Sequence, residues 1–126
     1  MPLLFGIAVA GALGAVARWG LTAAVHRVIG GNFPSGTLVV NLVGCFALGL
    51  GATFLAERAH WPLVWRTAIL TGFLGAFTTF STFSFDTVEL LRSAHYVKAA
   101  VNVTASVGLG LLAAAIGIAL GLRWSA

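Results

Sequence analysis

Gly72-Phe73-Leu74-Gly75-Ala76-Phe77-Thr78-Thr79-Phe80-Ser81-Thr82-Phe83-Ser84 is the stretch that decides the fold. It lies within an apolar run from Trp61 to Phe85 that continues to Leu91, long enough to cross a bilayer as a helix. Its glycines, followed by a run of Thr, Ser and Phe, weaken a continuous helix. A break at membrane depth is tolerated only where the freed backbone groups are buried in protein or bound to something. The reading is a third span interrupted near residues 75–79. A cation would satisfy the freed carbonyls, since half-helix ends are known to coordinate Na⁺, and a twofold axis through the break would bring two such sets together. Beyond the break, Phe80 and Phe83 are three residues apart and share a helix face. Aromatic ring edges carry positive potential, so two edges together with Asn and hydroxyl donors can replace part of an anion's water. Ordinary packing of Phe between helices would equally account for the pair.

Working outward, three more runs reach the length of about 20 residues that a roughly 30 Å hydrocarbon core requires: Leu3 to Val25, Gly36 to Leu55 and Ala99 to Leu122. The expected fold is therefore an all-α membrane protein of four transmembrane helices in a single domain covering residues 1–126, with the third span running from 61 to 91. Composition agrees: 60% of the 126 residues are hydrophobic and 8% are charged, against roughly a quarter charged in soluble domains. Trp19, Trp61, Trp65 and Trp124 fall near span ends, where indoles sit at headgroup level. Small residues recur at helical spacing in Gly6-Ala10-Gly14, Gly44-Ala47-Gly51 and Gly117-Gly121, which predicts close helix packing. The start Met1-Pro2-Leu3-Leu4 lacks a positive n-region, so the first helix is expected to be retained.

The net charge of +4 comes from seven basic residues scattered singly at Arg18, Arg27, Arg58, Arg66, Arg92, Lys98 and Arg123. No cluster is present to grip a phosphate backbone, so nucleic acid is not an expected partner. Four spans place Arg58, Arg66 and Arg123 on one side and Arg18, Arg27, Arg92 and Lys98 on the other. Cytoplasmic loops normally carry the excess of Lys and Arg. Three against four is almost no bias, so the chain is able to insert either way up and to form a dimer of inverted copies. One fixed orientation set by weaker cues is the alternative.

Groups that could perform chemistry are sparse. His26, His60 and His95 stand at loop edges without a helical partner at metal spacing. Cys45 is alone in an apolar run and reads as a small hydrophobe. The carboxylates are Glu57, Asp86 and Glu89, and none falls in the first two spans. That argues against a small proton-coupled drug exporter, the nearest rival of this length, and the chain is not expected to be an enzyme. What remains are uncharged polar residues at membrane depth. Asn41 follows Thr37 by one turn, and Asn102, Ser106 and Gly110 continue one line along the fourth span. Each alone is equally served by an interhelical hydrogen bond worth about 1 kcal/mol. Several such tracks together point to an ion path.

These residues resemble the Fluc (CrcB) fluoride channels of microbes. The likeness is carried by Gly11-Ala12-Leu13-Gly14-Ala15-Val16-Ala17-Arg18, by Gly36-Thr37-Leu38-Val39-Val40-Asn41-Leu42-Val43-Gly44 and, most specifically, by the third-span stretch. The resemblance implies an antiparallel, dual-topology homodimer in the cell (inner) membrane of a bacterium, embedded in its lipid bilayer. It would carry two fluoride pathways and a structural Na⁺ on the twofold axis. By matching position, the main-chain carbonyls of Gly75 and Thr78 would hold the sodium. Asn41, Phe80, Phe83, Thr37, Thr79, Thr82, Ser106 and Asn102 would line the fluoride pathway, and Arg18 would stand at a vestibule. A lone charge snorkelling to the interface fits Arg18 equally well. The sequence departs from the family pattern at Cys45, Ala76, Asp86, Asn102 and Gly110, which bears on the shape of the fourth-span track.

Overall fold

The computed structural model describes residues 1–58 and 60–125. Among these all regular secondary structure is helical, without strands. Its elements are α1 (Pro2–Ile29), α2 (Ser35–Ala56), α3 (Leu63–Thr67), a π-helical segment (Ala68–Leu74), α4 (Gly75–Phe77), α5 (Phe80–Arg92) and α6 (Tyr96–Ser125). Four helices are long and apolar enough to cross a membrane: Pro2–Ile29, Ser35–Ala56, Leu63–Arg92 and Tyr96–Ser125. The chain is a multi-pass membrane protein.

The ends of these helices have local causes. Pro2 opens α1, where a missing N–H costs nothing. Gly30 and Gly31 close it with φ of 65° and 76°, left-handed values that a side chain disfavours. Between α5 and α6, Ala94 takes the same region at φ 59°. The Ala94 amide donates to Leu91 at 3.0 Å and the His95 amide to Leu90 at 2.8 Å, the paired bonds of a Schellman ending.

Packing is set by backbones that touch. A Cβ on Gly14 would collide with the Phe73 carbonyl, on Gly117 with the Phe46 carbonyl, and on Gly49 with the Ala114 carbonyl. The glycines thus mark the crossings of α1 with the π segment and of α2 with α6, where no hydrophobic drive exists between helices in lipid. The third span divides its allegiance. Its first half, from Leu63 to Phe77, lies along α1, whereas α5 leaves α1 and leans on α6 and lightly on α2. On α5, Phe80 is 79% and Phe85 66% exposed.

Candidate functional site

The third span leaves helical geometry at two residues. Thr78 has φ −84°, ψ 157° and Thr79 has φ −151°, ψ 111°, both extended. Gly75 itself stays helical at φ −63°, ψ −38°. Extended backbone within a span needs partners for its peptide groups, and Asn41 supplies them. Its Oδ1 accepts from the Thr79 N–H at 2.8 Å, and its Nδ2 donates to the Thr79 carbonyl at 3.0 Å. The Thr79 hydroxyl in turn accepts from the Thr82 N–H at 3.1 Å, capping α5. It also meets the Thr82 hydroxyl at 2.9 Å and the Ser81 hydroxyl at 3.2 Å. Thr79 is buried.

Two of these bonds have a consequence for the carbonyls. In an unbroken helix the Thr79 amide would donate to Gly75 and the Thr82 amide to Thr78. Here both amides are taken by side chains, Asn41 and Thr79. Among the described residues no backbone N–H reaches the Gly75 or Thr78 carbonyl. These are the two carbonyls that the resemblance assigns to sodium. Oxygen donors without a hydrogen-bond partner are the chemistry a hard cation takes, so the residues present fit such an ion. A Cβ on Gly75 would meet nothing nearer than the Leu70 carbonyl at 4.0 Å, so that side of the break is open within one chain.

Beyond the break the Phe80 and Phe83 rings are tilted at 51° with centroids 5.6 Å apart. Thr37 donates from its hydroxyl to Asp86 Oδ2 at 3.0 Å, joining α2 to α5. Asn102 is 2% exposed and donates from Nδ2 to the Thr87 hydroxyl at 2.9 Å. Thr87 donates to the Phe83 carbonyl at 2.8 Å. Ser106, one turn further along α6, has its Oγ buried without a partner among the described residues. Arg18 is half-buried in α1 and forms no ion pair among them.

The structure therefore joins Asn41, Thr79 and Thr82 at the break, pairs Phe80 with Phe83, and ties Asn102 to Phe83 through Thr87. It leaves Arg18 and Ser106 outside these networks. Sequence reasoning misses Thr87 and the attachment of Asp86 to Thr37. The resemblance makes Asn41 a pore amide, and an interhelical hydrogen bond is the other reading of its position; its carbonyl oxygen and one N–H are bonded to Thr79, which leaves the second N–H over. The spacing of 38 residues between Asn41 and Thr79 offers no local signal for this.

An all-helical, four-span chain with a side-chain-braced interruption in its third span is the architecture of an integral membrane protein built around a polar break. Residues 5–118 match the family described as CrcB-like protein, Camphor Resistance (CrcB), and the chain belongs to that family. It is 43% identical over 119 residues to fluoride-specific ion channel FluC 2 of Symbiobacterium thermophilum, covering 94% of this chain and 97% of that one. It is 44% identical over 120 residues to fluoride-specific ion channel FluC of Hahella chejuensis, covering 95% and 94%. With the FluC of Solibacter usitatus the identity is 43% over 117 residues, covering 93% and 96%. Each of these relatives is named as an ion channel, and none as an enzyme.

Proposed function

We propose that the chain is one subunit of an antiparallel homodimer that conducts fluoride passively out of the cell. The observation that carries this reading is the interruption at Thr78 and Thr79, in a chain of nearly full-length similarity to proteins named fluoride-specific ion channels. The near-even split of basic residues between the two sides supports insertion in both orientations. The strongly exposed Phe80 and Phe85 support a second copy against α5.

Fluoride enters as membrane-permeant HF, dissociates at neutral pH and leaves down its gradient. Moving a bare anion into an apolar medium costs on the order of tens of kcal/mol, so the path must offer several donors that do not hold the ion too long. Ring edges of Phe80 and Phe83 and the uncommitted N–H of Asn41 supply some of them. Thr37, Thr79, Thr82, Asn102 and Ser106 continue the polar route, and Arg18 stands toward a vestibule. Main-chain carbonyls of Gly75 and Thr78 from both subunits would hold a sodium ion. Bound there, the ion supplies a fixed positive charge that satisfies the oxygens and fastens the subunits.

The test is fluoride efflux from liposomes containing the purified protein, followed with a fluoride electrode, with chloride efflux from matched vesicles as control. Rapid fluoride release with negligible chloride release is expected. Equal release of the two ions, or none of either, overturns the reading. Labelling of single-cysteine tags from each side of the membrane is expected to find every terminus on both faces; labelling from one face alone overturns the inverted dimer.

A further inference from the structure

We infer that Thr87 is a positioning residue that sets which end of the Asn102 amide faces α5 and which donor remains for the ion; this rests on the fluoride-channel reading above. A threonine hydroxyl has one hydrogen. At 2.8 Å from the Phe83 carbonyl, which only accepts, that hydrogen is committed to Phe83. Toward Asn102 the Thr87 oxygen is therefore an acceptor, so the amide must present Nδ2 and cannot present Oδ1. The amide is held to one of its two orientations, and its second N–H stays a donor. Asn41 is held by the same logic, because the Thr79 N–H can meet only Oδ1.

The setting gives the orientation weight. Asn102 is 2% exposed, so water cannot substitute for a misdirected partner. One turn along the same face, Ser106 keeps a buried hydroxyl without a partner among the described residues. The other end of the relay is the backbone of Phe83, whose ring pairs with Phe80. Thr87 thus connects the fourth-span polar track to the aromatic pair without itself meeting the ion. Were it absent, Asn102 would be free to turn its carbonyl oxygen, an anion-repelling group, into the route.

The experiment measures fluoride and chloride efflux from liposomes for Thr87→Val, Thr87→Ala, Thr87→Ser, Asn102→Ala and the double variant Thr87→Val/Asn102→Ala. Loss of one donor to a charged species lowers fluoride flux by about tenfold, so that drop is expected in Thr87→Val and in Thr87→Ala. Thr87→Ser, which keeps the hydroxyl, is expected to retain wild-type flux. In the Asn102→Ala background, Thr87→Val is expected to cause no further loss. Thr87→Ala serves if Thr87→Val does not assemble, because it differs from Thr87→Ser only by the hydroxyl. Wild-type flux in both hydroxyl-free variants overturns the inference, as does an equal loss from Thr87→Val with and without Asn102. Wild-type protein that releases no fluoride refutes the channel reading itself, so the two failures are distinguishable.

Discussion

Asn41 on α2 and Thr79 in the third span form a closed pair, the side-chain amide of one matching both backbone groups of the other at 2.8 and 3.0 Å. The pairing substitutes for two missing helical bonds at a depth where water is not at hand. Replacing Asn41 with Ala strands the N–H and C=O of Thr79, a residue only 8% exposed. At ~1–3 kcal/mol for each unsatisfied buried group, a loss of about 2–4 kcal/mol in stability is expected, together with loss of fluoride flux. Thermal unfolding in detergent beside the liposome assay checks both, and a variant of unchanged melting temperature contradicts the role given to the pair.

Thr79 caps α5 through its hydroxyl. Thr79→Val keeps the shape and removes the acceptor, for an expected cost of about 1 kcal/mol. Hydrogen exchange of the Thr82 amide is expected to quicken, and Thr79→Ser to restore its protection.

Close approach of backbones makes some glycines irreplaceable and leaves others free. A Cβ at Gly117 would collide with the Phe46 carbonyl, while one at Gly20 would meet nothing within 4 Å. Gly117→Ala is expected to destabilise by about 1–3 kcal/mol. Gly20→Ala is expected to be neutral or to stabilise by up to about 1 kcal/mol, through the better helix propensity of Ala. Unfolding in a denaturing detergent series compares the two.

Ala94 adopts left-handed geometry in the Schellman ending of α5. Glycine there relieves a backbone cost of about 1 kcal/mol, so Ala94→Gly is expected to raise the melting temperature without altering flux. A lowered melting temperature contradicts the strain assigned to this turn.

Four spans are readable in the sequence because soluble folds seldom carry apolar runs of that length. Their ends are less so. Polarity places the end of the first helix at Val25, before His26-Arg27, but the helix continues to Ile29, where Gly30 and Gly31 turn it. Backbone dihedrals and not polarity decide that boundary. The glycine and hydroxyl pattern predicts a break near residues 75–79, and the extended backbone lies at Thr78 and Thr79. The π segment leaves no trace in the sequence, since an i→i+5 turn requires no particular side chain. Thr87 escapes notice because a helical threonine ordinarily bonds back to its own carbonyl four residues earlier. What distinguishes it is Asn102 on another helix, a neighbour that only the folded chain supplies.

The π-helical turn from Ala68 to Leu74 accommodates a surplus residue just ahead of the break. It sets the clocking of the half-span beyond it. Wound as a regular α-helix with the same number of residues, this stretch would swing Gly75–Phe77 by about 100° about the axis. The methyl of Thr78 would then be carried off the bare surface of Gly44, where the two helices now meet. Loop insertions in this protein would alter only its rims, whereas rewinding this one wide turn as α-helix would aim the whole central kink at a different neighbour.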